Sequence, residues 1–312
     1  MGVLSAAWRR LLPRETPLPA ELRRAVSGRD WPTVQGYLEA VTGRERELLL
    51  SVLAQSPKVR ELISGVVADD ETPSVALLLS GVCHLQLAHE AGGGHCGRCA
   101  PSPEQGPDLN ELGVAEQQLV AVAEREPEWP EARFARYVVA TVRGVELAES
   151  RPLFDEVVRL APGHVGAHHT YLDQLIPRHG GTEEEMHAFA YGAMTHTPGA
   201  SPLGVLVPVA HMESLTAEGV HGCGYLRNPL IARQLHDAAD RSVRHPDYRR
   251  GPDWVWEHNV FAMMFSLTGE RAAARDMFRA LGGRLTVAPW HRFQGNPRRA
   301  HRRARHRSGV WF

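Results

Sequence analysis

Three stretches decide how the chain is read: VAEREPEWPEA (122–132), VVRLAPGHVGA (157–167) and AMTHTPGASPL (193–203). In each, a helical run stops at a proline, and Pro127, Pro162 and Pro198 stand 35 and 36 residues apart. Proline has no N–H and fixes φ, so it ends the helix before it and starts the next one without loss. The positions 12, 8 and 5 residues before these prolines hold Ala115, Leu119 and Val122, then Ser150, Phe154 and Val157, then Met186, Ala190 and Ala193. Such spacing lines up one apolar helical face. In the third stretch the large residue, Phe189, lies one position off. Recurrence at this period marks a repeat whose unit is a pair of helices.

Reading outward, EHNVFAMMFSLTGERAAARDMFRAL (257–281) gives a further pair. Phe261, Ala262 and Phe265 share one face, Gly269 forms the turn, and Ala274, Phe278 and Leu281 face back. Helix starts reuse one device, a capping residue followed closely by proline: Asp30–Pro32, Ser150–Pro152, Ser201–Pro202, Asn228–Pro229 and Asn296–Pro297. Alternating β-branched runs, the signature of strands, are missing. Residues 1–91 read as a helical region, with helices near Trp31–Val41, Glu45–Leu53 and Ser74–Ala91. Residues 92–108 read as a loop rich in Gly and Pro, 109–290 as the repeats, and 291–312 as an arginine-rich terminal helix or tail.

Over roughly residues 110–281 the chain resembles a degenerate tetratricopeptide-repeat protein. The segment around Gly180, Gly181, Thr182, Glu184, Glu185, Met186 and Phe189 is also similar to a group of bacterial helical-repeat proteins with a Gly-Gly-Ser/Thr turn followed by Glu-Glu-Met and an aromatic residue. The resemblance implies an all-α fold, a right-handed α-solenoid of antiparallel helix pairs whose inner helices line a concave peptide-binding surface. It further implies that the second, fifth and ninth positions of each first helix face that groove. These are Trp256, Asn259 and Met263 in the last unit, and Gly166, His169 and Asp173 after Pro162. The partner-binding residues expected on this basis are His169, Asp173, Trp256, Asn259 and Met263.

The residues that carry chemistry have structural readings of their own. In HHTYLDQLIPRHGGTEEEMHAFA (168–190), Gly180–Gly181 closes a helix, Thr182 and Glu185 form a capping box, and Glu183 and Glu184 occupy the first turn where the helix dipole favours anions. His187 follows Glu183 by four, a surface pair. His164 and His168 have a zinc-compatible spacing, but the His-Glu-x-x-His pattern is missing and no third ligand stands near. Cys96 and Cys99 have the spacing of a zinc knuckle without a second pair. Zinc held by Cys96 and Cys99 is therefore kept as an alternative to having no cofactor. Six arginines between Arg298 and Arg307 form a phosphate-capable surface, but they surround the helix and only Ala300 and Ala304 are left to face a core, so a solvated helix is expected. The aromatic cluster Tyr248, Trp254, Trp256, Phe261, Phe265 and Trp290 reads mainly as core. Phosphate-loop and nucleophile-elbow motifs are missing.

Composition bounds the rest. The net charge is −1 with 43% apolar residues, Lys58 is the only lysine, and four cysteines do not make a disulfide scaffold. That balance argues against a dedicated nucleic-acid binder, and the sequence has neither a membrane-spanning run nor the apolar core of a secretory leader. The expectation is a cytoplasmic, non-catalytic scaffold with a protein or peptide partner and an undetermined oligomeric state. Two alternatives stand beside it: a metal-dependent enzyme or zinc-stabilised protein using Cys96 and Cys99 or the histidine-rich segment, and a regulatory module touching nucleic acid through the arginine tail.

Overall fold

The computed structural model describes residues 18–67, 71–91, 106–217, 224–292 and 296–311. Among these residues the chain is all-helical, with no strand. Its helices divide between two compact units, 1–170 and 171–312.

The first unit contains α1 (Ala20–Gly28), α2 (Trp31–Glu39), α3 (Gly43–Ala54), α4 (Pro57–Val66), α5 (Ser74–Ala91), α6 (Leu109–Arg125), α7 (Pro130–Arg143) and α8 (Leu147–Leu160). It ends within α9 (Val165–Gln174). Asp30 caps α2 by accepting from the Thr33 N–H at 3.2 Å, and Asp108 caps α6 through the Asn110 N–H at 2.9 Å. α5 is apolar nearly all round and is buried along most of its length. It packs on α6, where Leu112, Ala115, Leu119 and Val122 are buried. A Cβ on Gly81 would lie 2.9 Å from Leu119 Cγ, so glycine permits this close approach of the two helices. Ser150, Phe154 and Val157 of α8 are buried as the period predicts.

One expected helix start is displaced. Ser150 and Pro152 lie inside α8, which begins at Leu147. Ser150 is fully buried and its Oγ donates to the Leu147 carbonyl at 3.1 Å, so it serves the helix interior and does not cap. The other four cap–proline pairs open helical segments with a side-chain cap.

The second unit continues from α9 into α10 (Glu183–Thr195), α11 (Leu206–Ala217), α12 (Pro229–Arg241), α13 (Trp254–Thr268), α14 (Arg271–Leu281), the short turn α15 (Val287–Trp290) and α16 (Pro297–Arg307). Thr182 and Glu185 form both bonds of the capping box before α10. Gly180, at φ 102°, ends the preceding 3-10 turn, while a Cβ on Gly181 would meet the Leu175 carbonyl oxygen at 2.2 Å. Both glycines are therefore required, for different reasons. α13 is central: Glu257 through Phe265 are all buried, and the helix packs against α11, α12, α14, α15 and α16. Gly269, left-handed at φ 84°, turns α13 into α14, whose Ala274, Phe278 and Leu281 are buried.

The terminal helix departs from the solvated expectation. α16 is seated on the second unit through Ala300 and His301, which are buried. The His301 ring meets Phe278 and Trp290 edge-on, with centroids 5.3 and 5.1 Å apart. An arginine-rich helix with a histidine in place of a leucine gives no apolar stripe, yet aromatic edge contacts hold it.

Candidate binding site

Four of the five residues expected to line a groove are buried. His169 and Asp173 are each 1% exposed, Asn259 is 0% and Met263 is 3% exposed, while Trp256 is half-buried. Asn259 Nδ2 donates to the Val255 carbonyl at 2.7 Å, and its Oδ1 accepts from the Trp290 indole N–H at 2.7 Å. Asn259 therefore fixes α15 onto α13. Met263, one turn further along α13, lines a real cavity.

That cavity, of about 100 Å³, lies among α13, α15 and α16. Met263, Leu267, Trp290, Ala300 and Ala304 make its apolar wall, with Ser266 and Ser308 beside them. Arg271, Arg303 and Arg307 complete the lining, in which none of the described residues carries a carboxylate. All three arginines are exposed residues. Arg303 and Arg307 are one turn apart on α16, and Arg271 begins α14. The backbone of this corner is secured separately: Arg275 Nε donates to the Ser308 carbonyl at 2.9 Å, and Asn296 caps α16 through the Arg299 N–H at 3.1 Å. The sequence signal for this site was present in the arginines of α16. The apolar wall was not legible, because it comes from elements that meet only in the fold.

The acid–base groups elsewhere are engaged with one another. In the first unit, His164 Nδ1 accepts from the Ala167 N–H at 3.0 Å, so Nε2 carries the proton and donates to Glu47 at 2.5 Å. Burial pushes the Glu47 carboxyl up, but His164 and Arg44 outweigh it and hold the group below its usual value. Glu131 stands at the start of α3, where it accepts from the Gly43 N–H at 2.7 Å. It takes the place of a local cap, because the Thr42 side chain makes no capping bond. Burial raises the Glu131 carboxyl despite Arg46 at 3.4 Å. Arg46 in turn lies over the Trp129 ring at 4.3 Å and donates from Nε to the carbonyls of Leu38 and Val41. His168 donates from Nδ1 to the His164 carbonyl and meets the Phe154 ring edge-on, and burial lowers its pKa to about 4.

In the second unit, Glu213 has no exposed side-chain surface and pairs with Arg178 at 3.0 Å and Arg292 at 2.5 Å. Next to it, Ser214 Oγ lies 2.9 Å from His187 Nε2, the reach of a nucleophile and its base. Among the described residues the rest of that constellation is missing. Glu183 approaches the same ring nitrogen, at 3.9 Å, and does not orient the ring from Nδ1. Ser214 also sits inside α11, where backbone N–H groups are committed to the helix and cannot form an oxyanion hole. His211, 2.7 Å from the Tyr225 hydroxyl, is lowered to about 3, first by burial and then by His187. Among the described residues no three His, Cys, Asp or Glu side chains are grouped to hold a metal. Cys96 and Cys99 lie outside the described residues, whereas Cys83 is a buried free thiol pushed up to about 12 by burial. No described helix is long and apolar enough to cross a membrane.

No family model, no curated protein and no solved structure matches this chain.

Proposed function

We propose that the chain is a non-catalytic interaction module of tetratricopeptide-like helix pairs, which binds a polypeptide segment at the cavity of its second unit. The observation that carries this reading is the cavity itself: an apolar wall open to a partner side chain, with Arg271, Arg303 and Arg307 around it. Hot spots of binding have this build, a desolvated pocket with a charged rim. Two further features support the reading. Ala115, Leu119, Val122, Ser150, Phe154, Val157, Met186 and Ala190 are buried at the positions the repeat spacing assigns. The strongest acid–base groups, Glu47 with His164 and Glu213 with two arginines, are bound up in tying helices together. The reading places the module in the cytoplasm, where a free thiol such as Cys83 stays reduced.

A displayed peptide library panned against the chain, and in parallel against Ala304→Trp, tests the assignment. Ala304 is half-buried on the cavity wall, so tryptophan there fills the space. Peptides enriched on the wild-type chain and lost on folded Ala304→Trp are the expected result. Enrichment that is equal on both chains, or none on either, overturns the assignment of the cavity. The exposed pair Arg303→Glu and Arg307→Glu provides the same comparison should the tryptophan variant fail to fold.

A further inference from the structure

We infer that the outward side of α16 is a surface for single-stranded nucleic acid, with Arg298, Arg299 and Arg302 on its phosphates and Trp311 under a base. The surface is separate from the peptide-binding cavity, whose lining includes none of these four residues.

Charge is the first argument. The whole-chain charge of −1 hides a segregation: residues 271–312 contain eleven arginines and a single acidic residue, Asp276. Asp276 stands 3.9 Å from Arg279, and Arg292 is engaged by Glu213. Ion pairs at exposed positions are weak and screened. The positive excess of the segment, and not the pairing of any one arginine, therefore sets the field that a polyanion meets. Such an asymmetry within a neutral chain points to a polyanionic partner.

Geometry is the second argument. Arg298, Arg299 and Arg302 are all exposed, on the first turns of α16. Arg298 and Arg302 are one turn apart, about 6 Å along the axis, with Arg299 beside them. That spacing is within reach of neighbouring phosphates on one strand, and the guanidinium fork matches a phosphate with two bonds. Trp311 supplies a flat apolar face: it is 64% exposed, and the His306 ring lies 4.9 Å from it. The chain leading to it is tied back to the helix. The Gly309 N–H donates to the His306 carbonyl at 2.9 Å, and the Val310 N–H to the Arg305 carbonyl at 3.1 Å.

These features select among polyanions. A bilayer surface calls for an apolar face beside the basic one, but Ala300 and His301 of α16 are buried in the second unit. Acidic side chains meet the charge and leave Trp311 unused. A duplex keeps its bases stacked inside. A single strand offers both phosphates and open base faces, and backbone contacts with stacking bind it without regard to sequence.

The test is fluorescence anisotropy of the full chain with a labelled oligothymidylate of about 15 nucleotides. Raising salt from about 50 to about 200 mM is expected to weaken binding about twentyfold or more, the slope of about three phosphate contacts on a single strand. Changing Arg298, Arg299 and Arg302 together to glutamine lowers the affinity about tenfold or more and flattens the salt dependence. The same three positions changed to lysine keep most of that dependence, which separates lost charge from a lost fold. Trp311→Ala costs about fivefold or more, and Ala304→Trp leaves the affinity unchanged.

No binding at about 50 mM salt, or equal binding by the glutamine variant, overturns the inference. An unchanged affinity in Trp311→Ala, with a duplex of the same sequence length bound as tightly, overturns the single-strand assignment. Displacement of the oligonucleotide by polyglutamate of matched charge gives the surface to an acidic polypeptide, and displacement by phosphatidylserine vesicles gives it to a membrane; either overturns the assignment. Loss of the oligonucleotide in folded Ala304→Trp places the strand at the cavity and overturns the separate surface. Loss of peptide binding alone in that variant leaves both readings standing.

Discussion

Glu213 is a carboxylate with no exposed surface, held between Arg178 from the turn after α9 and Arg292 from the segment after α15. Breaking a buried pair from one side strands the partner charge and costs far more than an exposed pair is worth. Glu213→Ala is expected to destabilise the second unit by about 3–5 kcal/mol, whereas Arg151→Ala, which removes a surface pair with Asp155, costs about 0–1 kcal/mol. Urea unfolding of both variants measures the difference; equal effects would mean that Glu213 is wetter than its geometry indicates. The same scale governs Asn259. A position that the repeat resemblance assigns to a groove is an internal clamp on Trp290, because its amide is satisfied on both sides by the fold.

At the scale of the element, α16 shows how a charged helix is retained. Five of its six arginines are exposed, while Ala300 and His301 fill a gap against Phe278 and Trp290. Removing residues 296–312 takes away one wall of the cavity and uncovers both aromatic rings. A drop of several degrees in Tm is therefore expected, since each ~1 kcal/mol shifts Tm by roughly 2–8 °C in domains of this size class. An unchanged Tm would return α16 to a solvated tail. Smaller changes resolve the device that starts it: Asn296→Ala loses the cap bond to Arg299 N–H and is expected to cost about 1 kcal/mol.

At the scale of the whole molecule, histidine burial couples stability to pH in both units. His168 in the first unit, and His211 and His301 in the second, are lowered to about 4, about 3 and about 4, in each case first by burial. Unfolded, each titrates near ~6.5, so the unfolded chain binds more protons between these values and stability falls as pH drops. The contribution is complete above about pH 6.5 and declines below it at up to ~1.4 kcal/mol per pH unit for each histidine. Glu47, held below its usual value, adds to the loss at lower pH, while Glu131, raised by burial, opposes it. Thermal melts at about pH 7.5 and about pH 5 should show a lower Tm in acid, with His211→Phe reducing the difference. A Tm that is flat or rises toward acid would rule out the neutral buried histidines.

The helical class, the helix pair over 257–281, the capping box at Thr182 and Glu185, and the buried faces of α6 and α8 were all legible in the sequence. Each depends on neighbours three, four or a few residues apart, because helix hydrogen bonds and caps are local. Tertiary structure alone decided which polar residues went inside. Glu47 and His164 are 117 positions apart, and Glu213 gathers arginines from either side of its helix; neither pairing leaves a local pattern. The cavity belongs with these, since Met263, Trp290 and Ala304 share no periodicity along the chain and become one surface only where α13, α15 and α16 meet. Local spacing thus set the elements, and long-range packing clamped Asn259 onto Trp290 and set the arginine-rich α16 at the rim of a cavity.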